Sequence, residues 1–152
     1  MNFLKIYTPI SLLFFLCCSN SFSAFSLNDL KNINSSINIK NEKKDIELYY
    51  FWATWCRSCE RKLRVDLPKL ESKKLAVYSI NIDKDSKKAL FYIKKKKIKI
   101  PVLRDPKKEW QKYFKIQAVP SWVLLKKNKN RTRTLLAKEL SFDREKILAF
   151  IK

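Results

Sequence analysis

Phe51-Trp52-Ala53-Thr54-Trp55-Cys56-Arg57-Ser58-Cys59 joins an apolar, strand-like segment to a charged, helix-like one through a Cys-x-x-Cys pair. A thiolate in the first turn of a helix faces unpaired N–H groups and the positive end of the macrodipole, which favours its charged, nucleophilic form. The second cysteine, three residues on, lies on the same helical face and can close a disulfide with the first. The pattern predicts thiol-disulfide exchange. Two other readings of the pair stay open at this point, a static bridge and half of a metal site. Zinc takes about four ligands. This chain contains no histidine, and its only other cysteines, Cys17 and Cys18, lie in an apolar leader. A haem attachment site needs histidine after the second cysteine, where Glu60 stands. A bridge spanning one helical turn closes a very small loop and removes little unfolded-state entropy, so it is a poor staple and a better reagent. No cofactor is expected.

Outward from this run, the first 24 residues read as a secretory signal, with Lys5 in the charged segment and Pro9 to Cys18 as an apolar core too short to span a bilayer comfortably. Cleavage is expected after Ser23 or Ala24; an uncleaved anchor or lipid attachment at Cys17 or Cys18 is the alternative, although Phe15 and Leu16 fit a lipoprotein signal poorly. Export points to an oxidising compartment, the periplasm or the outer face of an inner membrane. The formal net charge is +20, with Lys94 to Lys97 uninterrupted. Such a surface attracts anionic partners, and weak contact with an anionic membrane is one expectation. A chain without glycine and rich in Lys, Asn and Ile also reads as a compositional bias running its whole length. No nucleic-acid-binding motif accompanies the charge, so nucleic acid is not expected as a partner.

Residues 25–44 are polar and rich in Asn and Ser, predicting a loosely ordered lead-in with a short strand at Ser36 to Ile39, and the core domain is expected over 45–152. Ile46 to Ala53 predicts a central strand buried on both faces. Cys56 to about Lys73 predicts a helix with Leu63, Leu67 and Leu70 on one side and a kink at Pro68. Leu75 to Ile82 predicts a second buried strand, and Asp83 to Asp85 supply caps for a helix carrying Ala89, Leu90, Tyr92 and Ile93. Strand, helix and strand in this order imply a right-handed βαβ unit. A short extended piece at Ile100 to Leu103 precedes a helix starting at Asp105 or Pro106. Ser121 to Lys126 and Thr132 to Lys138 form a hairpin, where Asn128 and Asn130 can take the positive φ that glycine usually supplies. Ser141 is the expected cap of a last helix bearing Ile147, Leu148 and Phe150.

This order of elements resembles the thioredoxin-like fold, an α/β class with a central mixed β-sheet flanked by helices. More narrowly, it resembles the exported thiol-disulfide interchange proteins of the TlpA and ResA group. Three stretches carry the likeness: Phe51 to Cys59, Ile100-Pro101-Val102-Leu103-Arg104-Asp105-Pro106, and Ala118-Val119-Pro120-Ser121-Trp122-Val123-Leu124. The resemblance implies Cys56 as the exposed, attacking nucleophile and Cys59 as the buried resolving thiol. It implies Pro120 as a cis-proline facing the disulfide, with Val119 before it offering backbone groups that hold a client as an added strand. Trp52 is expected beneath the site and Trp55 at its rim, with plain core and surface packing as the alternative for both; an ordinary trans proline at a strand edge is the alternative for Pro120. Arg57 is the charge beside Cys56. Implied partners are disulfide-containing client proteins and a membrane electron donor that re-reduces the enzyme.

Three departures stand out. Thioredoxins carry a buried aspartate six residues before the first cysteine, and Tyr50 occupies that position here. Glu47 and Glu60 are the nearby acids; strand parity puts Glu47 on the face opposite Tyr50, and Glu60 is expected to be solvated, which leaves Cys59 without an evident proton acceptor. The dipeptide Arg57-Ser58 lacks the family's frequent proline, and Pro68 falls beyond the usual kink. A helix end and one arginine favour the thiolate by ~0.8 kcal/mol, roughly 20 mV, whereas reductant and oxidant members of this chemistry differ by about 150 mV. Direction is therefore taken from the resemblance: a reductase, serving cytochrome c assembly or disulfide repair. The alternatives are a DsbA-like oxidant, disfavoured because no large helical insertion is visible, and a basic client- or membrane-binding module that merely keeps the fold.

Overall fold

The computed structural model describes residues 30–33, 44–129 and 132–151. The expected signal segment, most of the lead-in with its strand at Ser36 to Ile39, and Asn130 lie outside the described residues. Among the described residues six strands form one mixed sheet in the order β1-β4-β3-β2-β5-β6. These are β1 (Lys31–Asn32), β2 (Ile46–Trp52), β3 (Leu75–Asn81), β4 (Val102–Arg104), β5 (Ser121–Lys127) and β6 (Arg133–Glu139). β2 runs parallel to β3 and β3 to β4, while β2/β5, β5/β6 and β1/β4 are antiparallel. The α-helices among the described residues are α1 (Arg57–Arg61), α2 (Ser86–Lys96), α3 (Glu109–Tyr113) and α4 (Arg144–Ala149). This is the thioredoxin-like architecture that the sequence implies.

Every residue of β2 is buried, because both faces of the sheet are covered. Ile46, Leu48, Tyr50 and Trp52 point into one core with Cys56, Cys59, Leu63, Leu67, Ile93, Trp122 and Ile147. Tyr49 and Phe51 point into the other, with Tyr78, Ile80, Leu103, Trp110 and Phe114. Helices α1, α2 and α4 therefore cover the face that carries the cysteines, and α3 covers the opposite one.

Five expectations need correction. The helix expected from Asp105 or Pro106 begins only at Glu109, whose N–H donates to the Asp105 carboxylate at 2.9 Å. The core does not begin at Asp45: Leu30 is buried in the second core, and Lys31–Asn32 pairs with β4, supplying the edge that β4 otherwise exposes. The helix after Cys56 is shorter than its leucine spacing indicates. It passes at Lys62–Asp66 into a π-helical turn, closed by Leu67 N–H on the Lys62 carbonyl at 2.9 Å, and stops before Pro68, so that proline sits in a turn and kinks nothing. The last helix is capped by Asp143, whose carboxylate accepts from Lys146 N–H at 3.1 Å, while the Ser141 carbonyl accepts from the Trp122 indole at 2.6 Å. In the hairpin, Asn128 takes no positive φ and instead ties the turn through its side-chain amide to Thr132 and Thr134. With no glycine in the chain, the positive-φ positions described fall to lysines, Lys97, Lys108 and Lys115.

Candidate active site

Parallel strands β2 and β3 end together, and the site is built at their C-terminal edge. After Trp52 the chain turns through Ala53 to Trp55, with Cys56 N–H on the Ala53 carbonyl at 3.1 Å, and Cys56 takes the extended backbone (φ −85°, ψ 96°) that precedes α1. Cys59 N–H then bonds the Cys56 carbonyl at 3.1 Å, which brings the two sulfurs together. They form a disulfide, S–S 2.02 Å with Cα atoms 5.4 Å apart. Cys59 is wholly buried, whereas Cys56 keeps a 6% exposed edge, so the residue expected to be exposed is only narrowly accessible. Its sulfur lies 3.5 Å from the Ser58 hydroxyl.

The turn that presents the cysteines is held by a residue that sequence reasoning missed. Asp83, read from sequence as a helix cap, accepts from both the backbone N–H (2.9 Å) and the hydroxyl (3.1 Å) of Thr54. Asn81 donates to the same carboxylate at 2.7 Å and returns its own oxygen to Asp83 N–H. Arg104 anchors the segment from below by donating to the carbonyls of Asp83 and Lys84. The available signal was positional: an acid directly after a buried parallel strand beside the cysteine-bearing one stands at the ligand-bearing end of the sheet.

Trp52 is wholly buried with its ring centroid 5.5 Å from that of Tyr92, and Trp55 is 67% exposed. The Arg57 side chain points into solvent. Phe51 pairs with Ser121, so Val119 and Pro120 stand at the same end of the sheet as the cysteine turn, and both are half-buried. The Val119-Pro120 bond is cis, and the Ser121 hydroxyl donates to the Ala118 carbonyl across this bend at 2.5 Å.

Two acids, Asp66 and Glu60, and two phenols, Tyr50 and Tyr92, define the electrostatics around α1. Tyr50 lies fully buried on the cysteine-bearing face; its hydroxyl has no hydrogen-bond partner among the described residues, and burial, reinforced by the Asp66 charge, pushes its pKa well up. Asp66 is paired with Lys62 at 2.8 Å, and Lys62 in turn sits 4.6 Å from the ring centre of Phe142, which meets Tyr50 edge-on. Glu60 is not simply solvated. It joins Lys96 (2.8 Å), Arg64 (3.2 Å) and the Tyr92 hydroxyl (3.4 Å), tying α1 to α2. The Lys96 hydrogen bond, against some burial and with help from Arg64, holds the Glu60 carboxyl below its ordinary pKa, while burial and then Glu60 push Tyr92 up to about 12. Glu47 lies on the opposite face, as parity required, bound to Arg133 there. Among the described residues no three His, Cys, Asp or Glu side chains gather as a metal-binding group.

A model of the Redoxin family matches residues 19–141, most of the chain. This chain belongs to the Redoxin family. Among curated proteins none matches the sequence. Solved structures extend the assignment of the fold. The Redoxin chain is similar to StoA from Bacillus subtilis, with a TM-score of 0.61, 20% identity, and coverage of 76% of this chain and 88% of that one. It is similar to a thiol-disulfide oxidoreductase from Bacteroides fragilis, with a TM-score of 0.58, 23% identity, and coverage of 74% and 87%. A third is the exposed lipoprotein thioredoxin of Streptococcus pneumoniae, with a TM-score of 0.58, 18% identity, and coverage of 72% and 84%. The fold of this Redoxin chain is thus the one that thiol-disulfide oxidoreductases use, with a Cys-x-x-Cys disulfide at the C-terminal edge of its parallel strands.

Proposed function

We propose that this protein is an exported thiol-disulfide oxidoreductase that reduces disulfides in client proteins of the periplasm or the outer face of the inner membrane. The observation that carries the reading is the Cys56–Cys59 disulfide at the C-terminal edge of the parallel strands, with Cys59 wholly buried and Cys56 keeping a narrow exposed edge. In the reduced protein the Cys56 thiolate attacks one sulfur of a client disulfide. A Cys56–client bond forms, the client S–S bond breaks, and the departing client thiolate takes a proton. Cys59, giving its proton to solvent or a base, then attacks Cys56 and expels the second client thiolate. Two electrons pass to the client and the Cys56–Cys59 disulfide returns; a membrane-borne dithiol donor restores the reduced state.

In this reading Val119 and Pro120 border the client-binding edge, Trp55 offers an exposed aromatic contact beside Cys56, Trp52 supports the turn from beneath, and Arg57 adds a positive charge. Residues 1–24 serve as the export signal, and the basic surface adds at most weak contact with anionic lipid. The reductive direction follows the resemblance to the interchange proteins.

Two experiments test the proposal. Cys59→Ser should accumulate mixed disulfides with clients, because Cys56 still attacks and nothing resolves the adduct, whereas Cys56→Ser should trap none; trapping by Cys56→Ser alone reverses the roles. Titration of the Cys56/Cys59 couple should give a potential below about −200 mV, in the range of reducing members. A value near about −120 mV makes the protein an oxidant instead.

A further inference from the structure

The exchange mechanism uses one side of the cysteine turn and leaves the side facing α2 without a role. There a cavity of about 380 Å³ opens between the turn and the helix, lined by Thr54, Asp85, Lys87, Lys88, Phe91 and Tyr92. It is a shallow, open depression, roomy enough to seat one large side chain of an extended partner against its wall. Its lining offers an apolar wall and a cationic rim. Phe91 is a phenylalanine left 67% exposed on the outer surface of α2, with Lys95 5.9 Å from its ring centre. Lys84, Lys87, Lys88, Lys94 and Lys95 around it are exposed as well. The single acid in the lining, Asp85, is engaged as the helix cap, accepting from Lys87 N–H at 2.8 Å. One N–H of the first turn of α2 is thereby capped, and what the cavity offers an incoming group is an aromatic surface ringed by ammonium ions.

The position of the cavity indicates its occupant. Thr54, one of its walls, stands two residues before Cys56 and is locked in place by Asp83. Extended chain covers about 3.3–3.6 Å per residue, so a client whose cysteine is bonded to Cys56 brings a residue a few positions away within reach of Phe91. We propose that this cavity is a second client-recognition site, selecting disulfides flanked by a large apolar side chain and aspartate or glutamate. The apolar group packs on Phe91 and Tyr92, and the carboxylates meet Lys87 and Lys88. This rests on the exchange reading above and adds the class of client to it. An anionic bilayer is the less favourable occupant, because the site includes Asp85 and its apolar lining is only the rings of Phe91 and Tyr92, where interfacial binding buries a continuous apolar face.

The test uses the reduced full-length protein and disulfide peptides that differ only in two residues beside the cysteine: Phe-Glu, Phe-Lys and Gly-Glu. Hydroxyethyl disulfide, small and uncharged, reports the chemistry alone. The Phe-Glu peptide should be reduced at least tenfold faster in kcat/KM than the Phe-Lys peptide, with the margin shrinking as salt is raised. Phe91→Ala and the double change Lys87→Glu/Lys88→Glu should each lower the ratio of Phe-Glu peptide to hydroxyethyl disulfide rates by tenfold. Equal rates across the peptides, or a preference that survives in both variants, would overturn the site while normal reduction of hydroxyethyl disulfide keeps the exchange chemistry. The same holds if the variants lose only binding to phosphatidylglycerol vesicles. Failure to reduce hydroxyethyl disulfide at all would sink the exchange reading and this site together.

Discussion

The two faces of strand β2 treat buried polar groups in opposite ways. On the face covered by α3, Glu47 is buried but bound by Arg133 through two hydrogen bonds (2.6 and 3.3 Å) and by the Tyr49 hydroxyl (3.1 Å). Burial and then the Glu47 charge push the Tyr49 phenol well above its ordinary pKa, so it stays a donor. Burial works against the Arg133 charge, and the Glu47 hydrogen bonds and charge more than offset it. On the face covered by α1, one residue along the same strand, Tyr50 and then Trp52 present a hydroxyl and an indole N–H with no hydrogen-bond partner among the described residues. Native interiors rarely leave such donors unpaired. Among the side chains of β2 itself, the contrast separates polar groups bound to one another from donors without a hydrogen-bond partner among the described residues beside the disulfide.

The largest effect that bears on this comparison should come from the Glu47 side. Arg133→Met leaves the Glu47 carboxylate buried without its counter-charge, which costs about 3–5 kcal/mol in comparable pairs. Glu47→Leu/Arg133→Met removes both charges and should regain most of that loss, keeping only the ~1 kcal/mol of the stranded Tyr49 hydrogen bond. Urea unfolding of the three proteins measures it. A single variant within 1 kcal/mol of wild type would mean the pair is solvated and the two faces are alike.

How much of this was legible beforehand depends on the range of the interaction. The central strand, the cysteine-bearing helix start and the second strand are written in local pattern, since a strand buried on both faces must be apolar throughout. Parity alone placed Glu47 opposite Tyr50. Its partner was not legible, because Arg133 lies 86 residues away and reaches Glu47 only after β5 and β6 pair across the irregularity at Leu124/Leu125. The role of Asp83 is ambiguous in the sequence for a similar reason: a carboxylate after a strand suits a cap as well as a turn anchor, and the tertiary position of Thr54 decides. The leucine spacing runs past the end of α1 because Leu67 and Leu70 stay buried in the turn that follows, preserving the pattern after the helix has ended.

A smaller effect tests the Tyr50 side. Tyr50→Phe removes a buried hydroxyl without breaking a described hydrogen bond, so the oxidised protein should lose no stability and gain up to about 1–2 kcal/mol. The ring contact with Phe142 stays. A loss of 1 kcal/mol or more in urea unfolding would show that the hydroxyl is satisfied after all, and the asymmetry of β2 would disappear.

The smallest effect should ignore the faces altogether. Lys97 after α2, on the cysteine-bearing side, and Lys115 after α3, on the other, both take left-handed backbone (φ 53° and 48°). Each closes the same motif. Lys97 N–H bonds Lys94 and Ile98 N–H bonds Ile93; Lys115 N–H bonds Lys112 and Ile116 N–H bonds Gln111. This is the Schellman arrangement, in which glycine is usual because a Cβ crowds the carbonyl that follows it. A chain without glycine carries that local strain at both places. Lys97→Gly and Lys115→Gly should therefore each stabilise by about 0.5–1 kcal/mol, after the extra unfolded-state entropy of glycine is deducted from the relief. Neither should move the Cys56/Cys59 potential. Equal gains at the two sites mark the strain as a property of the backbone alone. A gain at Lys115 with none at Lys97, or a shifted potential in Lys97→Gly, would show instead that the end of α2 is coupled to the disulfide above it.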